Sequence, residues 1–240
     1  MRWMRRIGIA VVGLMLSAQL AAAQDGWNVA VYPVLAWIPL GIGIDVDVPP
    51  FEGGGGGVGD IVDGRFDGAF LGGLSVSKDR IRVDADVMWA AIGGDRIDRP
   101  TFSVDADIIY AHGIVGVRFA KDTYATFGVR RLALKYDVKF VDQPNFERKP
   151  GVWDPLLGVG WHHTSRVLDL HALFEGGGFG AGSDVDLSGS FRFDFKPLPF
   201  FGITGGYNYL YFKVTNELVN RTFVIKQTLH GPVIGIGFYF

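Results

Sequence analysis

An all-β chain, closed as a transmembrane up-and-down antiparallel β-barrel of about ten strands, is what the 240-residue sequence predicts from three observations. Apolar and polar residues alternate with period two along most of the chain. The connections between the alternating segments are short and long by turns. No apolar stretch is fit to cross a bilayer as a helix. Aromatics reach 14% of the residues, in keeping with strands that carry large side chains on one face.

The N-terminus sets the compartment. Arg2, Arg5 and Arg6 precede an almost wholly apolar run from Ile7 to Leu16, and Ala21-Ala22-Ala23 meets the small-residue cleavage rule. Residues 1–23 therefore read as a cleaved secretory signal peptide and residues 24–240 as the barrel. The apolar core of about ten residues is half of what a helical span needs. With no cysteine in the chain there is neither a disulfide framework nor a thiol for lipid attachment after cleavage. The net charge of −2 becomes more acidic when the three arginines leave, which argues against nucleic acid as a partner. The one long apolar run of the mature part, Val29 to Ile44, contains Pro33, Pro39, Gly41 and Gly43. No second hydrophobic helix is present to satisfy the carbonyls those prolines free, so a helical membrane protein is a poor reading.

The alternation defines two unlike faces. From Arg80 to Ile92, Ile81, Val83, Ala85, Val87 and Trp89 oppose Arg82, Asp84 and Asp86. From Val167 to Glu175, Leu168, Leu170, Ala172 and Phe174 oppose Asp169, His171 and Glu175. From Val185 to Phe195, Leu187, Phe191, Phe193 and Phe195 oppose Asp186, Ser188, Ser190, Arg192 and Asp194. The polar face is made of short Asp and Ser with Arg and Gly, as a crowded lumen requires, and not of the long Lys, Glu and Gln common on a solvated sheet.

Ten segments meet the roughly 9 to 11 residues of a tilted membrane strand: 27–40, 63–77, 80–92, 102–119, 123–138, 153–163, 166–176, 185–196, 200–214 and 222–240. The connections Ser77 to Arg80, Ala120 to Thr123, Thr164 to Arg166 and Lys196 to Pro199 are short. Asp45 to Val62, Gly93 to Thr101, Lys139 to Val152, Gly177 to Asp184 and Thr215 to Arg221 are longer. An even strand count places both chain ends on the short-turn side, which is periplasmic in outer-membrane barrels. The apolar phase slips by one residue at His112-Gly113, Arg130-Arg131 and His230-Gly231-Pro232, and a β-bulge is expected at each.

The last strand ends on alternating apolar residues, Ile234, Ile236, Phe238 and terminal Phe240, with Val233, Gly235, Gly237 and Tyr239 between them. This ending resembles the C-terminal signal that the barrel assembly machinery reads in many Gram-negative barrels. Trp153-Asp154-Pro155-Leu156-Leu157-Gly158, Glu175 to Asp184, Gly206-Tyr207-Asn208-Tyr209 and Gly231-Pro232-Val233-Ile234-Gly235 resemble motifs of a largely uncharacterised family of small, porin-like Gram-negative outer-membrane β-barrel proteins. The resemblance implies Arg where this chain has Asn208, and it brings no catalytic residues. It implies outer-membrane lipid and, during biogenesis, the assembly machinery as partners.

Motifs that carry chemistry are few. The run Gly53 to Gly57 with Val58-Gly59 lacks the Lys-Ser/Thr and the helix of a phosphate loop and reads as an exposed loop. Asp184 and Asp186 beside the Gly176 to Ser183 loop offer calcium-type oxygens, but the loop reads first as a compact connection. His162, His163 and His171 fall near Asp154 and Asp169, yet alternation turns His162 inward and His163 outward, so no metal site is expected from that pair. No Ser-His pair assembles at the outer rim, and neither a cofactor nor an enzymatic activity is expected.

Alternation sends Arg65, Asp67, Arg82, Asp84, Asp86, Asp105, Asp107, Arg130, Asp169, His171, Glu175, Asp186, Arg192 and Asp194 inward. About eight strands leave an interior just filled by side chains and 16 to 18 leave an aqueous channel, so about ten should hold a charged plug. The expected function is that of a porin-like integral protein of the cell outer membrane with a narrow charged lumen and at most small-solute passage. The alternatives are a structural or adhesion barrel binding through its external loops, and a rim-sited enzyme.

Overall fold

The structure, a computed structural model, describes residues 26–37, 41–47, 65–95, 102–140, 146–148, 151–218 and 221–240, with side chains described for 26–37, 71–89, 109–133, 151–215, 224 and 226–240. The signal peptide and its cleavage site lie outside the described residues.

Among the described residues twelve strand segments follow in chain order: β1 (Asn28–Trp37), β2 (Gly41–Asp47), β3 (Arg65–Lys78), β4 (Ile81–Asp95), β5 (Phe102–Ala120), β6 (Thr123–Phe140), β7 (Phe146–Arg148), β8 (Gly151–Thr164), β9 (Leu168–Gly178), β10 (Val185–Leu198), β11 (Phe201–Leu218) and β12 (Arg221–Tyr239). They make ten barrel strands. β1 and β2 lie end to end against the two halves of β12, and β7 and β8 lie end to end against β6. All pairings are antiparallel, and β1 against β12 closes the ring. At the seam Val29 and Phe240 exchange backbone hydrogen bonds at 3.0 and 2.9 Å. Closure pairs β1 on both of its edges, with β3 and with β12, and so removes an edge that could pair with another chain there.

At one end the connections are the short ones, at 79–80, 121–122, 165–167 and 199–200. Asp79 and Asp122 adopt φ of +52° and +60° there, a left-handed conformation that aspartate tolerates in turns. At the other end one expected long loop is replaced by strand. β11 and β12 stay paired as far as Leu218 and Arg221, so the Thr215 to Arg221 connection shrinks to residues 219–220.

The three expected bulges are absent, and the reason bears on the lumen. β5 runs in unbroken register past His112 and Gly113, β6 past Arg130 and Arg131, and β12 past His230 to Pro232 against β11. The apparent phase slips arise because Tyr110, Ile114, Leu132 and Leu229 are apolar residues on the inner face. The lumen is partly apolar, and a period-two reading that equates apolar with outward misplaces them. A large register shift falls instead at Pro33, between Val31 and Val34 against β12 and between Tyr32 and Leu35 against β3. Proline offers no N–H to the ladder, and the extra residue lets both Tyr32 and Leu35 reach the interior, at 2% and 3% exposure.

The outer surface carries the large apolar side chains. Trp89, Phe127, Trp153, Phe174, Phe193 and Ile234 all project outward, Phe174 with 69% of its surface exposed. A soluble monomer rarely exposes contiguous apolar patches beyond a few hundred Å². This surface runs around the wall, as it must when lipid is the solvent.

Candidate functional site: the barrel lumen

Backbone alternation turns one residue in two of each strand inward, and barrel closure brings those rows face to face. Among the described residues two charged clusters and one apolar layer result.

The first cluster lies toward the short-turn end. Arg82 donates from Nε to Asp84 at 2.7 and 3.0 Å, while its terminal nitrogens reach Nδ1 of His162 at 2.6 Å and Nδ1 of His171 at 3.2 Å. The two imidazoles, paired directly across β8 and β9, stack with centroids 4.0 Å apart. His171 Nε2 lies 3.4 Å from Asp194. The Asp194 carboxylate also accepts from Tyr32 at 2.8 Å and Thr204 at 2.7 Å. Arg192 lies over the Tyr32 ring at 4.3 Å with its Nε 3.8 Å from Asp194. Lys196 donates to Asp169 at 2.7 Å. Below this cluster opens a vestibule of about 510 Å³ whose lining includes Ser77, Arg118, Asp122, Asp169 and Lys196.

The second cluster lies further in. Arg130, 1% exposed, donates to Glu175 at 2.8 Å, to Ser188 at 2.7 Å and to Asp186. Ser188 in turn donates to Glu175 at 3.0 Å. His112 bridges Glu175 at 3.0 Å and Asp86 at 3.4 Å. Beside it Asp154 accepts from the Ser183 backbone N–H at 2.7 Å and its hydroxyl at 2.9 Å, tying the β9–β10 loop to the wall. Gly158 permits this crowding, since a Cβ there would run into the Phe174 carbonyl.

The apolar layer packs against the second cluster. Leu35, Trp37, Leu71, Met88, Leu132, Leu210, Phe212, Leu229 and Val233 form one buried cluster, joined by Tyr110 and Val152. Between the layers remains a cavity of about 140 Å³, room for a few waters.

Of the residues the alternation directs inward, Arg82, Asp84, Asp86, Arg130, Asp169, His171, Glu175, Asp186, Arg192 and Asp194 stand in these clusters. Arg65, Asp67, Asp105 and Asp107 lie outside the residues whose side chains are described. Sequence reasoning placed Ser188 on the polar face and named Asp154 only beside the histidines, and it passed over Tyr32, His112, Thr204 and Lys196 as lumen residues. His112 was legible as the i+2 neighbour of Tyr110 had the bulge not been assumed. Lys196 was hidden because Lys196-Pro197 reads as turn.

A closed ring of ten antiparallel strands with a greasy exterior and an ion-paired interior defines a class, the transmembrane β-barrel of outer-membrane type. Solved structures of similar fold include Ail, the attachment invasion locus protein of Yersinia pestis, at 12% identity over 90% of this chain and 100% of that one, TM-score 0.37. The outer membrane protease OmpT of Escherichia coli is similar at 10% identity over 89% and 96%, TM-score 0.46. CarO2 of Acinetobacter baumannii is similar at 11% identity over 85% and 100%, TM-score 0.33. At such identities the likeness is one of fold and says nothing of activity. No protein-family model and no curated protein matches the sequence.

Proposed function

We propose that this chain is an integral, porin-like outer-membrane barrel without enzymatic activity whose lumen is closed by a layered plug, passing at most very small solutes. The observation that carries the reading is the middle of the lumen, where Arg130, Asp186, Leu210 and Phe212 are each no more than 4% exposed. Ion pairs hydrogen-bonded on several sides tolerate such burial, whereas a hydrated pore would leave these groups wet. The plug differs from the purely ionic one that alternation suggests, because the apolar layer spans residues from β1, β3, β4, β6, β11 and β12. The test is liposome swelling together with single-barrel conductance in planar bilayers. The reading expects no swelling with sugar-sized solutes and little or no conductance. A conductance as large as that of a general diffusion porin rules it out.

A further inference from the structure

His162, His171 and Asp169 come together at the short-turn mouth of the lumen, and one ligand atom from each lies within 4.8 Å of the other two. We propose that they form a site for one borderline divalent cation of the Zn²⁺ type, reached through the vestibule, and that the metal and the Arg82 guanidinium occupy the histidine pair in mutual exclusion.

The ligand set has the chemistry of an open zinc-type site, two imidazoles and a carboxylate, with water from the vestibule free to complete a tetrahedron. Closing onto a metal at about 2.0–2.2 Å brings ligand atoms to roughly 3.4 Å from one another, a contraction that side-chain rotation supplies. His162 and His171 are direct cross-strand partners on β8 and β9. Asp169 stands two residues before His171 on the same face. Lys196 engages Asp169 through Oδ1, leaving Oδ2 for the metal.

Arg82 decides when the site is available. Arginine only donates, so each Nδ1 it touches is an acceptor and the proton of each ring sits on Nε2. Those Nε2 atoms face Thr164 at 3.0 Å and Asp194 at 3.4 Å. A metal at Nδ1 needs the lone pair that Arg82 holds. A metal at Nε2 moves the proton to Nδ1, where it confronts an Arg82 N–H. Either way Arg82 must withdraw from the rings, and it retains Asp84, to which Nε already donates. Ligation through Nε2 expels no net proton from the ring pair when Nδ1 takes up what Nε2 gives away.

The experiment is titration of the refolded barrel in detergent with Zn²⁺ by calorimetry and with Co²⁺ by visible absorption, folding of every variant being checked by its heat-dependent electrophoretic shift. One Zn²⁺ per barrel and a tetrahedral Co²⁺ spectrum are expected. His162→Gln and His171→Gln should each weaken binding more than about tenfold. Arg82→Ala, or Arg82→Met where alanine disturbs folding, should tighten it about tenfold by removing the competitor. His163→Gln, on the outer face beside Trp161, should leave it unchanged. Absence of stoichiometric binding in both the wild type and the Arg82 variants overturns the site, as does binding that survives both histidine substitutions together. An affinity that does not rise without Arg82 overturns the exclusion. None of these readouts depends on whether the lumen conducts.

Discussion

Arg130 and Glu175, 45 residues apart in the chain, meet inside the barrel at 2.8 Å, each with its side chain almost wholly buried. Arg130 sits on β6 and Glu175 on β9, with β8 between them, so the pair crosses a strand and holds the wall in one curvature. Removing the arginine takes from the buried Asp186 its ion-pair partner and leaves Glu175 with His112 and Ser188 alone. Arg130→Met is therefore expected to cost about 3–5 kcal/mol, read from the unfolding midpoint of the refolded barrel in urea. Loss of under about 1 kcal/mol means the pair behaves as if solvated, and the buried second cluster is then wrong.

The two kinds of plug layer predict a graded response in conductance. Arg82→Ala with Arg192→Ala should enlarge the short-turn vestibule yet leave the barrel closed, because Leu132, Leu210 and Phe212 still fill the section beyond. Adding Phe212→Ala and Leu210→Ala should open it. Planar-bilayer recording distinguishes the cases, and a large conductance from the arginine pair alone shows that the apolar layer is no barrier.

On the outer wall, Phe193 points away from the lumen with 41% of its surface exposed. Phe193→Arg is expected to destabilise the barrel in vesicles by about 2–4 kcal/mol if it lies at the midplane, since lipid cannot solvate the charge. Phe193→Leu keeps the surface apolar and serves as control. Equal stability of the two variants would falsify the lipid-facing assignment of this strand face.

Phe240 completes the seam through its two backbone bonds to Val29, beyond any part it plays in an assembly signal with Ile234, Ile236 and Phe238. Deleting it should lower the yield of heat-modifiable barrel in outer-membrane fractions and also slow refolding in pure detergent, where no assembly machinery is present. A defect seen only in cells points to recognition alone. A defect in neither setting removes both roles.

Strand number, the direction of most side chains and the site of chain closure were legible in the sequence because they rest on spacing two residues long. Arg82, Asp84 and Asp86 against Val83, Ala85 and Val87 is a pattern that any β-strand must turn into two faces. The same local rule failed at Tyr110, Ile114, Leu132 and Leu229, where it read inward apolar residues as bulges, and the register change at Pro33 was visible only as an interruption. Which charge meets which was beyond it altogether. Arg130 finds Glu175 and Asp186, and Arg82 finds His162 and His171, across 80 and 89 residues, because ring closure at this small diameter brings walls far apart in sequence into contact. Spacing along a strand is a property of the chain, and those meetings are a property of the closed ring.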